Sequence, residues 1–176
     1  MKSALLALAV ACLVAACGGG SGGATPTPTQ DLSSLDQCAV VEPAVVEALV
    51  GPFLQPPAPL TVETTGGLNC NYTGAQAMVS IIFSPIITSP EQFATDKQAA
   101  IGSGGNPVPG VGDDAFYVLR PSSFNGGLLM ARVGTQVFSV GVQVIPNTQT
   151  QPMTDEQFRP TAVSIGQAVV EGLAAS

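Results

Sequence analysis

The sequence predicts a single α+β domain, in which three helices pack on an antiparallel sheet of about six strands. Short runs that alternate between apolar and polar residues occur in two groups of three, as is typical of strands. A segment with helical spacing precedes each group, and a third such segment lies near the C-terminus. Strands joined by short turns pair antiparallel, so the predicted order is αβββαβββα.

The first two helices are predicted from their terminal residues. The first begins at Pro43 and ends before Gly51, because proline suits the first helical position and glycine suits the position just past the end. The second begins after Ser89, which can cap it, while Gln92 can complete a capping box. We expect this second helix to extend to about Ile101.

The third helix is predicted near the C-terminus, where apolar residues recur at helical spacing from Ala162 onward. Thr154 and Gln157 have the spacing of a capping box. Because proline disrupts helix interiors, two alternatives stay open: the helix starts at Pro160, or it starts at Asp155 and bends at Pro160.

Six strands are predicted from β-branched and alternating segments. The third has apolar residues on both faces, so we expect it to lie centrally in the sheet, covered on both sides. The proline-rich segment Pro52–Pro59 is predicted to be a loop, and the short connection at Gly134 a hairpin turn. The predicted strands are 60–65, 68–73, 77–84, 115–119, 128–133 and 136–144.

The first 30 residues are predicted to direct export and anchoring. Lys2 precedes an apolar stretch, Ala4–Val14, which has the length of a signal-peptide core and is too short to span a bilayer. Cysteine directly after Val-Ala-Ala resembles a lipobox, the alternative being an ordinary secretory signal. We therefore expect residues 1–16 to be a signal peptide and Cys17 to carry lipid. Residues 17–30 are expected to form a flexible Gly/Ser/Thr/Pro tether, and residues 31–176 the domain.

Two cysteines remain in the expected domain, Cys38 and Cys70. In an exported protein an even number of cysteines favours a disulfide. The alternative is a pair of buried thiols. We predict the Cys38–Cys70 bond.

Composition excludes several classes of function. The chain has 12 acidic and 5 basic residues, for a formal charge of −7, which disfavours nucleic acid as a partner. Histidine is absent, which removes histidine-based triads and the commonest metal sites. A disulfide would leave no thiol nucleophile. We therefore predict no catalytic residue, no metal site and no cofactor.

One glycine-rich loop is of possible functional interest. Asp113 and Asp114 follow Gly110 and Gly112. Such a carboxylate pair could bind Ca²⁺ or act in acid–base catalysis. The preferred interpretation is a tight turn, in which the aspartates accept backbone N–H bonds.

Four features together resemble the DUF3558 domain of actinobacterial lipoproteins, over roughly residues 36–175. They are the lipobox with its Thr/Pro tether, Cys38 before a short helix that ends at Gly51, the Cys70-Asn71-Tyr72 sequence, and the Val108–Phe116 sequence VPGVGDDAF. The resemblance implies an extracytoplasmic lipoprotein and no particular activity.

These observations predict a lipoprotein on the extracytoplasmic face of the cell membrane, anchored through Cys17. We expect its domain to be a non-catalytic binding or accessory module of the cell envelope. Its partner would be an envelope protein or a small apolar ligand. The alternatives are a carboxylate-only hydrolase and a carrier of an apolar small molecule.

Overall fold

The computed structural model describes residues 31–63, 65–120, 125–144 and 154–175. The expected signal peptide, the lipidation site Cys17 and the tether lie outside the described residues. Within the described ranges, no helix combines the length and the apolar character needed to cross a membrane.

The described residues form three helices and one antiparallel sheet, which confirms the predicted α+β class. The seven strands lie in the order β1-β2-β3-β7-β6-β5-β4. The elements are α1 Pro43–Val50, β1 Phe53–Val62, β2 Gly67–Gly74, β3 Met78–Phe83, α2 Pro90–Gly102, β4 Asn106–Pro107, β5 Asp114–Arg120, β6 Gly126–Val133, β7 Gln136–Gln143 and α3 Asp155–Ala175.

The sheet has one strand more than the six expected. The additional strand, β4, has two residues, which pair with Tyr117 and Phe116 of β5. Two residues are too few to produce an alternating pattern, so the sequence carries no signal for this strand.

The loop predicted over Pro52–Pro59 is wrong, because all of these residues except Pro52 belong to β1, which extends from Phe53 to Val62. Proline lacks the N–H that a central strand must donate to both neighbours, but an edge strand tolerates it. β1 is an edge strand paired only with β2, and two register shifts, between Phe53 and Gln55 and between Gln55 and Ala58, accommodate the segment.

The first face of the sheet carries α1 and α3, which enclose the main core. α1 contacts β1, β2 and β3, and α3 contacts β6 and β7. The chain enters the domain on this face, because Leu32, Val40 and Val41 are buried in the same core. α3 approaches this entry segment so closely that a Cβ atom at Gly172 would overlap the carbonyl oxygen of Val40.

The second face carries α2 at one end only. α2 contacts β4 and β5, and its Phe93 ring lies 5.6 Å from that of Phe116. β3 is central, as predicted, and Val79 and Ile81 on its first face are fully buried. The prediction that this strand is covered on both sides is wrong. In the described part of the chain, no helix covers the second face of β1, β2 and β3, so Ile82 stays partly exposed.

The helix starts agree with the predicted caps in part. Gln92 donates its backbone N–H to the Ser89 hydroxyl at 3.1 Å, but its side chain bonds Asp96 and does not return to the cap. At α3 the Gln157 side-chain oxygen accepts the backbone N–H of Thr154 at 2.8 Å. α3 begins at Asp155 with Pro160 inside it, which decides between the two starts left open by the sequence.

Candidate functional site

The predicted disulfide is present between Cys38 and Cys70, with an S–S distance of 1.99 Å. It joins the segment before α1 to the middle of β2, and so fixes the entry of the chain onto the sheet. Beside it the Tyr72 hydroxyl donates to the Cys38 carbonyl oxygen at 3.4 Å. Burial raises the pKa of Tyr72 to about 12, with a smaller contribution from the negative charge of Asp36.

The glycine-rich loop leads from β4 into β5. Gly110 and Gly112 have positive φ angles of 81° and 59°, a conformation that favours glycine. A Cβ atom at Gly112 would overlap the backbone oxygen of Arg132 on β6. Gly112 therefore allows the loop to approach β6, where the Asp113 N–H donates to the same Arg132 oxygen at 2.8 Å.

The Asp113 carboxylate holds the turn between β6 and β7. It accepts the backbone N–H of Gly134 at 2.7 Å and lies 3.2 Å from Nη1 of Arg132, which also donates to the Gly134 carbonyl oxygen. The Arg132 side chain is only 10% exposed, and its guanidinium lies 6.0 Å from the ring centre of Phe93. Asp113 therefore neutralises a largely buried cation and closes a hairpin.

Asp114 makes a separate ion pair. One carboxylate oxygen lies 2.5 Å from Nζ of Lys97 on α2, and the two side chains are partly exposed, at 20% for Lys97 and 28% for Asp114. This pair links α2 to the start of β5. The two adjacent aspartates thus contact two different cations on two different elements.

The loop borders a cleft of about 410 Å³, which Lys97 and residues 107–114 line. Both of its carboxylates are occupied by the contacts described above. Over the described ranges, no group of three or more His, Cys, Asp or Glu side chains is placed to hold a metal ion. The contacts of Asp113 and Asp114 therefore indicate a structural role, in which the two aspartates join the loop to the hairpin and to α2.

The second face of the sheet offers a different kind of surface. A row of side chains in register crosses six strands from the free edge to the space beneath α2. Its members, here called the Leu60–Phe116 row, are Leu60, Asn69, Ile82, Ser139, Met130 and Phe116. Leu60 is 54% exposed and Phe116 is 5% exposed, so the row passes from open surface to covered core.

A pocket of about 280 Å³ lies at the covered end of this row. Its apolar lining is formed by Ile86, Phe93, Phe116, Met130 and Val137. We call it the α2 pocket. Nothing in the sequence indicated this site, since it depends on which face of the sheet α2 occupies.

A polar cluster lies at the open end of the row. The Ser80 hydroxyl is 2.9 Å from the side-chain oxygens of both Asn69 and Asn71. A hydroxyl donates one hydrogen, so it bonds one of these two oxygens at a time. The cluster is uncharged and can exchange hydrogen bonds with a molecule lying on the face.

Comparison of the chain with protein-family models, curated proteins and solved structures found no match.

Proposed function

We propose that the protein is a lipoprotein of the DUF3558 type, held on the extracytoplasmic face of the cell membrane by lipid on Cys17. We further propose that its domain is a non-catalytic binding or accessory module of the cell envelope, which binds through the second face of the sheet.

Export is supported by two independent features. The Val-Ala-Ala-Cys sequence ends an apolar stretch of signal-peptide length. The Cys38–Cys70 disulfide is of the kind that persists in oxidising compartments outside the cytoplasm. The acidic chain has no polybasic segment to assist a single acyl chain, so stable anchoring would require more than one chain at Cys17.

The observation that carries the binding proposal is the uncharged half of the second face, over which the described part of the chain places no helix. Its described residues are neutral, although the chain has a formal charge of −7. Depletion of charged residues is typical of the centre of binding interfaces, since buried charge is costly to desolvate. These residues are Gln55, Ala58, Leu60, Asn69, Asn71, Thr73, Met78, Ser80, Ile82, Ser139, Gly141 and Gln143. Of these, Asn69 and Gly141 are buried and the others are at least partly exposed.

The position of the tether also favours this face. The tether would join the domain at Asp31, and the entry segment that follows packs into the core on the first face. The second face is therefore opposite the face on which this entry segment packs. We propose no catalytic role for Asp113 and Asp114, because their carboxylates already form ion pairs with Arg132 and Lys97.

The anchor is tested by cell fractionation of the Cys17→Ala variant. We expect the wild-type chain in the membrane fraction and the variant in the soluble extracytoplasmic fraction. Retention of Cys17→Ala in the membrane fraction would show that the chain is held by something other than lipid on this residue.

The binding face is tested by replacing single residues with a benzophenone amino acid and irradiating whole cells. Ser139 lies on the second face, and Ala44 is an exposed matched position on α1. We expect one defined adduct, identified by mass spectrometry, from Ser139 and none from Ala44. Equal capture at both positions would reject the second face as the binding surface.

A further inference from the structure

The α2 pocket has the lining of a site for an apolar ligand. Five apolar side chains line its volume of about 280 Å³, which is just below the range of roughly 300–1,000 Å³ for small-molecule pockets. Three of its four polar side chains already have partners: Gln92 Nε2 donates to Asp96 at 3.0 Å, and the Ser84 hydroxyl accepts the backbone N–H of Ile86 at 3.2 Å. Thr88 is the fourth. Recognition in this pocket would therefore depend on apolar contact.

Phe116 and Met130 line the pocket, and the next members of the Leu60–Phe116 row lie beside them on the same face of the sheet. From Phe116 the row runs through Met130 and Ser139 to Ile82, across three spacings between strands. At about 4.8 Å per spacing this path is roughly 14 Å long. Three of these four side chains are apolar, the exception being Ser139. A path one side chain wide suits an extended hydrocarbon chain better than a helix or a folded partner.

α2 covers one end of the second face and buries few apolar side chains there. Of its residues only Phe93 is buried, at 2% exposure. Ala100 packs, partly buried, against the same cluster as Phe93, and Lys97 forms the partly exposed ion pair with Asp114. The Arg132 guanidinium also lies 6.0 Å from the ring centre of Phe93. A segment with few buried apolar contacts opens at low free-energy cost, and displacement of Phe93 would widen the pocket.

From this geometry we propose that the α2 pocket binds one uncharged alkyl or acyl chain, with Phe93 of α2 as its lid. This inference rests on the proposed use of the second face for binding, and it names the ligand class. The acidic side chain of Asp96 at the rim and the formal charge of −7 favour an uncharged head group over a carboxylate.

The proposal is tested by fluorescence titration with the neutral apolar probe N-phenyl-1-naphthylamine. The full chain carrying Cys17→Ser is used, so that no attached lipid competes. Ile86→Trp fills the mouth of the pocket at a position that is 41% exposed. Val45→Trp is the matched control, because Val45 is 40% exposed on α1 and lines a different cleft, between α1 and α3.

We expect saturable binding of one probe per chain, at least tenfold weaker in Ile86→Trp and unchanged in Val45→Trp. Linear alcohols should displace the probe, with affinity rising roughly fourfold for each added methylene until the path is filled. Circular dichroism and thermal melting confirm that each variant is folded.

The proposal is overturned if binding is not saturable, or if Ile86→Trp and Val45→Trp bind the probe equally. Such a result, together with release of Cys17→Ala from the membrane, would reject the pocket and leave the anchor intact. Position-specific crosslinking at Ser139 without probe binding would likewise reject the ligand class and retain the binding face.

Discussion

The Asp113 carboxylate accepts the backbone N–H of Gly134 at 2.7 Å, across 21 residues of sequence. Gly134 belongs to the turn between β6 and β7, and its carbonyl oxygen is bonded by Arg132, the second partner of Asp113. One carboxylate thus connects the glycine-rich loop, the hairpin turn and a largely buried cation. This makes Asp113 the structural centre of the VPGVGDDAF sequence.

Replacement of Asp113 by alanine should be more harmful than replacement of its neighbour. Asp113→Ala leaves Arg132 largely buried without its carboxylate, and we expect a loss of about 1–3 kcal/mol in the free energy of unfolding. Asp114→Ala is the matched control. The flexible Lys97 side chain can turn to water when its partner is lost, so we expect about 1 kcal/mol or less.

Urea denaturation of both variants measures these costs. Equal destabilisation by Asp113→Ala and Asp114→Ala would contradict the central role given to Asp113. Unchanged stability of Asp113→Ala would point instead to a role of this carboxylate in binding.

Removal of the disulfide should destabilise the domain without changing its fold. The bond closes a loop with a sequence separation of 32 residues. Loss of this cross-link from the unfolded chain predicts about 3–4 kcal/mol of destabilisation. The Cys38→Ser, Cys70→Ser double variant, compared with wild type in urea, measures the effect. A midpoint unchanged by the double substitution, with and without reductant, would argue against a bonded pair.

The contact between α3 and the entry segment requires a glycine. In Gly172→Ala the new methyl group would overlap the Val40 carbonyl oxygen, and we expect a loss of about 1–3 kcal/mol from overpacking. Gly102→Ala in α2 is the control, since a methyl group there meets no atom within 4 Å. It should be neutral or stabilise by up to about 1 kcal/mol. Thermal melting distinguishes the two, and a tolerated Gly172→Ala would contradict the close approach.

Local patterns were sufficient for most of the fold. The alternation along 136–144 placed Phe138, Val140 and Val142 inward, and all three are buried. The same rules failed on β1, because proline counts against a strand unless the strand lies at an edge. Edge position is a property of the whole sheet, so no local pattern in Pro52–Pro59 could reveal it.

Less of the candidate site than of the fold could be predicted from the sequence. The disulfide followed from the number of cysteines, but the partners of Asp113 and Asp114 did not follow from spacing. Lys97 and Arg132 lie 17 and 19 residues away and reach the aspartates only through the sheet register and the position of α2. The open second face depends on α1 and α2 packing on opposite faces, although each precedes a group of strands.

Stability at alkaline pH should depend on Tyr72. Burial raises its pKa to about 12 in the folded state, whereas the pKa of tyrosine in an unfolded chain is about 10. The folded state therefore binds this proton more tightly, and the free energy of unfolding should fall as pH rises from about 10 to about 12. In Tyr72→Phe this decrease should be smaller. Urea midpoints at the two ends of this range measure it, and an identical decrease in both proteins would assign the effect to other groups.

Amide hydrogen exchange should be faster in α2 than in α3. α2 buries only Phe93, whereas α3 buries Phe158, Ile165 and Val169 against the main core. Since local opening costs less where fewer apolar side chains are buried, we expect α2 amides to exchange roughly tenfold faster or more. Phe93→Ala should remove the remaining protection of α2 and leave that of α3 unchanged. If the substitution lowered protection in both helices equally, α2 would open only with the whole domain, and it could not serve as a separate lid over the α2 pocket.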